Sequence, residues 1–384
     1  MALAASPSLE QRAADVRAAA GRARQAGAYP NPVLGASGDH VAGGPVQRGG
    51  ILGGFVEQRL VTAGKLGLSR KSAEQTRAAA EQMQEHGRLQ VLTAIRGLYY
   101  QALGEQRLIA TRKNMADLAA RTAKTWRELA NLGQADRPDV LAAEVESQRA
   151  ELAVKLAQNA LDRTWNEIAA MTGQASMRAS PLVSTLEGDL EAAPKIDAAE
   201  LDKIYAGNPQ LRAAEAMRAA ADLQLRRARA ENIPDILMRG GVRYSHELIA
   251  PGVPGGTEGF FDIGIQVPLF HRNQGAVAAA VAEAERARWE GNRERQTLAR
   301  RFAEVYKEYR DAMDASARYR DSMIPAARQA YEMYMGNFAN MAAPYERVLT
   351  TQRNLFQLEE TYNATLMAAW RSAVEIQGLL AGEE

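Results

Sequence analysis

The 384-residue chain contains no cysteine. That removes disulfides, thiolate metal sites, cysteine nucleophiles and cysteine-linked lipids from the sequence as written. An excess of one charge is equally missing. With 47 Lys and Arg against 46 Asp and Glu the net charge is +1, so no bulk charge drives binding to nucleic acid or to an acidic membrane surface. Aromatic residues make up only 6%, and alanine fills long stretches instead, which favours narrow, closely packed helices over a thick globular core. No run of about 18 apolar residues occurs, which excludes a membrane-spanning helix but leaves a spanning β-strand open. No phosphate loop, Ser-His-Asp arrangement or metal-ligand spacing is found. Carboxylates are spread along helical faces, where pairing with Arg and Lys accounts for them. No enzyme activity, cofactor or catalytic residue is expected.

What the chain does have is an internal repeat of about 200 residues. Ser6-Pro7-Ser8-Leu9 opens an Ala-rich helical run ending at Ala28-Tyr29-Pro30, and Asn208-Pro209-Gln210-Leu211 opens another ending at Asn232-Ile233-Pro234. Each is followed by an extended stretch, a Gly/Pro loop, a second extended stretch and a very long helical pattern. Leu132-Gly133-Gln134 and Met335-Gly336-Asn337 then interrupt the helices, and Met171-Thr172-Gly173 and Leu380-Ala381-Gly382 close them. The expected organisation is a first repeat over 1–173, a connector over 174–207 and a second repeat over 208–384. From Lys65 to Asn131 there is no proline, and such a helix would extend roughly 100 Å. Its mate, Gln274 to Met335, is broken only by Pro325. Apolar residues recur at coiled-coil spacing at Leu92, Ile95, Tyr99 and Ala102, and again at Phe302, Tyr306, Tyr309 and Met313. The helices reverse over 132–138 and 335–344, so each repeat is expected to contain a long helical hairpin.

The extended stretches, about 33–41, 51–61, 235–247 and 260–270, have the period of strands. Ile236, Met238, Val242 and Tyr244 fall on one face and Arg239, Arg243, Ser245 and Glu247 on the other; Phe261, Ile263, Ile265 and Val267 oppose Asp262 and Gln266. About ten alternating residues beside a turn-rich loop match a transmembrane β-strand. Two readings stay open on this pattern alone: lipid-facing strands, or four strands of a soluble amphipathic sheet. Four strands leave two unpaired edges, which lipid does not tolerate, so a spanning sheet would have to be closed by further copies of the chain.

Several segments resemble the TolC-type outer-membrane factor family, and within it the heavy-metal cation-efflux branch typified by CzcC. They are Ala28-Tyr29-Pro30-Asn31-Pro32, the run Glu57-Gln58-Arg59-Leu60-Val61-Thr62-Ala63-Gly64-Lys65, and Val267-Pro268-Leu269-Phe270-His271-Arg272-Asn273-Gln274-Gly275. The last is similar to the branch's P-L-F-N-R-N-Q-G, with His271 in place of Asn. The resemblance implies a mixed α and β membrane protein, a homotrimer with a 12-stranded outer-membrane β-barrel, four strands per chain, continued by a periplasmic α-helical coiled-coil barrel. It further implies a passive exit duct for heavy-metal cations, docked to a periplasmic adaptor and through it to a proton-driven, RND-type inner-membrane transporter, with no nucleic-acid partner. A drug-efflux or type I secretion duct is the alternative within the family, and a periplasmic coiled-coil scaffold or adaptor the alternative outside it. Met1 followed by Ala2-Leu3-Ala4-Ala5-Ser6 has no basic or apolar leader region but an A-x-A pattern, read as a mature exported chain with Met1 added for expression. With no cysteine, the acyl anchor of some members is expected to be absent from the chain as written.

The hairpin tips are the candidate adaptor contacts: Leu132, Gly133 and Gln134 in one repeat, Met335, Gly336, Asn337 and Phe338 in the other. Asp136 and Asp139 are candidate gate residues, since threefold repetition would make carboxylate rings that favour cations. Asp139 also fits a plain acidic residue in a first helical turn. His40, His86, His246 and His271 have no i,i+4 pair and read as solvated or rim residues rather than ligands, and Met333, Met335 and Met341 read as packing residues. Glu187, Asp189 and Glu191 read as a solvated linker.

Overall fold

The computed structural model describes residues 2–39, 50–174, 177–187, 197, 200–250, 252–339 and 345–380. The first repeat begins with helices α1 (Ala2–Ala5) and α2 (Pro7–Ala26), followed by strands β1 (Val33–Asp39) and β2 (Ile51–Leu60) and the helical hairpin α3 (Lys65–Asn131) and α4 (Arg137–Thr172). After α5 (Glu200–Gly207), the second repeat runs through α6 (Pro209–Ala230), β3 (Ile236–Ala250), β4 (Val253–Ile265), α7 (Gln274–Arg318), α8 (Ile324–Ala339) and α9 (Tyr345–Leu380). Both halves run helix, strand, strand, long helix and returning helix.

Helix ends follow local chemistry. Gly133 takes φ 72°; its N–H donates to Ala130 O and that of Gln134 to Leu129 O. Those are the two bonds of a Schellman cap, which needs a left-handed residue and so favours glycine. Gly173 ends α4 the same way, with bonds to Ala170 O and Ala169 O. Between α7 and α8 lies one π-helical turn, Tyr319–Met323, in which Ile324 N–H reaches back to Tyr319 O. Pro325 explains it: proline has no N–H to donate and its ring crowds the carbonyl four residues earlier, so the preceding turn widens.

The structure corrects several expected boundaries. β4 is Val253–Ile265, not 260–270, and β3 extends to Ala250. Val267 therefore lies beyond the strand, where Pro268 cannot donate to a ladder. The Gly/Pro stretch read as a loop is mostly strand, with Gly252 at φ 82° just before β4 and register shifts between Ser245 and Leu248 and between Leu248 and Ala250. Met335-Gly336-Asn337 does not interrupt its helix, which continues to Ala339; residues 340–344 of that expected turn, like His40, Met341, Asp189 and Glu191, lie outside the described residues.

Two compact units form, each drawing on both repeats: residues 1–11, 85–209 and 295–384 in one, and 12–84 and 210–294 in the other. The first is helical. Its core contains Leu103, Phe302, Val305, Tyr309, Tyr362, Leu366, Trp370 and Ile376, with Leu186 and Ile204. The heptad positions Ala102, Phe302 and Tyr309 are buried, and Tyr99, Tyr306 and Met313 pack against the cluster. Tyr100 stacks on Trp370 with ring centres 3.7 Å apart. A Cβ on Gly104 would meet Met367 Sδ at 2.3 Å, so glycine allows the close approach of α9. The described part of the connector around Leu182 to Glu187 is held rather than solvated. Gln106 donates to Leu182 O and accepts from Leu182 N–H at 2.9 and 2.8 Å, Trp370 Nε1 donates to Leu186 O at 2.9 Å, and Glu187 pairs with Arg107. Burial of Arg107 lowers its pKa, opposed by the charges of Tyr362 and Glu359.

The second unit holds a four-stranded antiparallel sheet in the order β1-β2-β3-β4. Ser72 Oγ of α3 donates to Ala220 O of α6 at 3.0 Å beside it.

Candidate functional site

Strand register sorts the sheet's side chains into two faces. Val56 opposes Leu34, Leu52 opposes Tyr244, and Gly54 opposes Val242. Met238 opposes Ile263, Ile236 opposes Ile265, and Gly240 opposes Phe261. One face is therefore mostly apolar, with Gln58 and Thr257 among its polar members, and no described residue covers it: Leu34 is 78% exposed, Phe261 60%, Ile263 63% and Ile265 59%. Val242 and Tyr244 are also exposed, whereas Ile236 and Met238 are half-buried. The other face holds Glu57, Arg239, Arg243, Glu258 and Asp262, with Arg243 paired to Glu258 at 3.2 Å. Strands β1 and β4 each have one unpaired side among the described residues. A large uncovered apolar face with two open edges is unstable in water and in lipid alike unless further strands are added.

Where β2 passes into α3, Asp235 gathers three donors that sequence inspection did not connect. Lys65 Nζ lies 2.8 Å from Oδ1, Arg59 Nε 2.9 Å from Oδ2, and Thr62 N–H 3.1 Å from Oδ1. Lys65 Nζ also donates to Ile233 O at 2.7 Å. Burial pushes the Asp235 carboxyl up, but the bonds from Lys65, the Thr62 backbone and Arg59, with the charge of Lys65, outweigh it and bring it from 3.8 to about 2. Ala63 and Gly64 in this junction take φ 56° and 65°. The corresponding junction of the second repeat has Asn273 at φ 56°, its Nδ2 donating to Ala228 O at 2.9 Å. The only sequence signal was that both fall in the motif-like runs before the long helices.

At the first hairpin tip Leu132, Gly133, Gln134, Asp136 and Asp139 are all exposed. Asp136 is the N-cap of α4 but its side chain makes no capping bond, and Asp139 sits in the first turn. Leu141, Val145, Leu152 and Leu156 continue from the tip as an exposed apolar stripe on one side of α4, a helical spacing that the sequence reading passed over. Ion pairs tie the hairpins: Arg127 to Glu144 at 2.6 Å, Arg112 to Glu360 at 2.8 Å, Arg328 to Glu359 at 3.0 Å, and Arg353 to Glu146. In the second repeat Met333, Met335, Gly336 and Asn337 are exposed on α8, where Phe338 also lies. His246 does not stand free as a ligand: its Nδ1 is 3.2 Å from Gly50 O and its ring packs on Tyr244. Among the described residues no three His, Cys, Asp or Glu come together as a metal site.

A doubled helix–strand–strand–helical-hairpin chain that joins its four strands in one open sheet has the fold of outer-membrane channel subunits. The structure of CusC matches with a TM-score of 0.83 over 99% of this chain and 90% of that one, at 17% identity. VceC of Vibrio cholerae matches at 0.79 over 100% and 95%, at 21% identity. The chain belongs to the outer membrane efflux protein family, whose profile matches residues 1–174 and 201–382. It is also 26% identical over 322 residues to the cobalt-zinc-cadmium resistance protein CzcC of Cupriavidus metallidurans, covering 83% of this chain and 74% of CzcC.

Proposed function

We propose that this outer-membrane efflux protein is a homotrimeric, passive exit duct for heavy-metal cations. The observation that carries the reading is the open sheet: an uncovered apolar face with an unpaired edge on either side. Three copies supply twelve strands, close the edges and turn Ile236, Met238, Val242, Tyr244, Phe261, Ile263 and Ile265 towards lipid, with Val267 just beyond the strands at the membrane boundary. The long helices then extend into the periplasm as a tunnel. The exposed stripe of α4 supports their packing against a neighbouring copy, because apolar helix faces of this kind are stable only when covered.

In this reading energy comes from an RND-type inner-membrane transporter, reached through a periplasmic adaptor, since no nucleotide-binding motif occurs in the chain. Leu132, Gly133, Gln134, Met335, Gly336, Asn337 and Phe338 meet the adaptor; the exposure of the first three and the compact glycine cap support end-to-end contact with another hairpin. Asp136 and Asp139 guard the narrow end. The likeness to CzcC supports cation cargo. The test is detergent-extracted mass together with single-channel conductance and the metal sensitivity of a deletion strain. A trimer, a pore and lost resistance are expected; a soluble monomer without a pore overturns the duct, and unchanged resistance to cobalt, zinc and cadmium overturns the cargo. Asp136→Asn with Asp139→Asn should raise conductance, and an unaltered value rejects the gate.

A further inference from the structure

On the polar face, Glu57 of β2, Arg239 of β3 and Asp262 of β4 stand in one row in direct register. The adjoining row is Phe55, Gly241 and Phe260. Arg239 is laid along the sheet between the two rows: its guanidinium carbon is 3.8 Å from the Phe55 ring centre and 5.8 Å from that of Phe260. Its Nε is enclosed without a hydrogen-bond partner, a loss that contact with the negative face of an aromatic ring offsets. Glycines leave room for the rings. A Cβ on Gly35 would fall 2.3 Å from Phe55 Cζ, and one on Gly241 2.8 Å from Phe260 Cε1. The other arginines of this face are engaged by carboxylates, Arg243 by Glu258 and Arg59 by Asp235.

We infer that Phe55 is a positioning residue which holds Arg239 flat against the barrel wall, so that the carboxylates of Glu57 and Asp262 rather than the guanidinium meet the passing solute. This rests on the closed trimer proposed above, in which the polar face lines the lumen. Threefold repetition turns the position of one side chain into a property of the whole pore: an upright Arg239 would put a ring of positive charge, one per chain, across the path of a cation, whereas a stacked one leaves the ring acidic. The barrel segment is thus a second determinant of charge selectivity, separate from the aspartates of the hairpin tip, and its ligand class is hydrated cations.

Reversal potentials in a KCl gradient across planar bilayers test this with the full-length protein. Wild type is expected to prefer cations. Phe55→Leu, which keeps an apolar side chain but removes the ring face, should lower the cation-to-anion permeability ratio about twofold or more. Phe55→Tyr should preserve it. Arg239→Lys keeps the charge but loses the planar stack, and should lower the ratio by a second route. Adding Arg239→Gln to Phe55→Leu should restore cation preference, which a merely structural role of Phe55 does not predict. A wild-type pore whose selectivity is unchanged by Phe55→Leu and Arg239→Lys, or a double variant no different from Phe55→Leu, overturns this assignment alone. Absence of any wild-type pore overturns the closed barrel and this assignment together.

Discussion

The two compact units treat apolar side chains in opposite ways. In the helical unit Leu366, Trp370 and Ile376 are almost wholly buried; in the sheet unit residues of the same kind, Phe261, Ile263 and Ile265, are exposed, with no described residue covering them. Burial stabilises only by taking apolar surface out of water. The helical unit achieves this for its core with its own residues, though not for the exposed stripe of α4, whereas the apolar face of the sheet, in the assembly proposed above, needs lipid and further strands. In that reading the difference separates a core whose stability is internal to the chain from a face whose stability depends on assembly and lipid.

Substitutions can break or sharpen that contrast. The largest effect is expected for Trp370→Ala, which leaves a cavity beside Tyr100 and deletes the bond to Leu186 O. It should cost about 3–5 kcal/mol, read as a lower urea midpoint for loss of helix, and a midpoint like wild type would mean that the core does not depend on this ring. Next comes Ile263→Arg on the proposed lipid-facing side, expected to cost up to about 2–4 kcal/mol, the value reached at mid-depth. Insertion yield into lipid vesicles measures it. An undiminished yield would place that face in water and remove the contrast between the units.

Asp235 comes third. Its folded pKa lies below the ordinary value, so its stabilisation is complete above pH 3.8 and is lost as the pH falls towards 2. Asp235→Asn should cost about 1–2 kcal/mol at neutral pH and abolish that acid step in melting temperature; a step that survives would assign it to another carboxylate. The smallest effect is expected at Asp136, whose side chain makes no capping bond. Asp136→Ala should change stability by less than about 0.5 kcal/mol, below the usual loss at an N-cap. A larger loss on thermal melting would reveal a cap and weaken the case for a free gate carboxylate.

Much of the architecture was legible before any coordinates. The doubled element order, the glycine caps at Gly133 and Gly173, and the alternation of Ile236, Met238, Val242 and Tyr244 depend on local geometry with periods of 3.6 and 2. Less could be read where a residue's state depends on a distant partner. The run Val253-Pro254-Gly255-Gly256 has loop composition, yet it becomes strand because β3 offers it a ladder and an edge position tolerates proline. Glu187 looked solvated because Arg107 is far away in sequence. The Asp235 cluster and the stacking of Arg239 on Phe55 each join residues from different repeats.

By itself, then, the amino-acid sequence determined the order of most helices and strands and the apolar side of β3 and of the end of β4, because backbone sterics and side-chain period act within a few residues. Tertiary structure alone decided the register that gathers Glu57, Arg239 and Asp262 into one row, the widened turn's place in the packed helix, and the fact that the apolar face of the sheet finds no cover among the described residues. Those outcomes depend on which distant segments meet, and contact energies between them are set by geometry that no local pattern encodes.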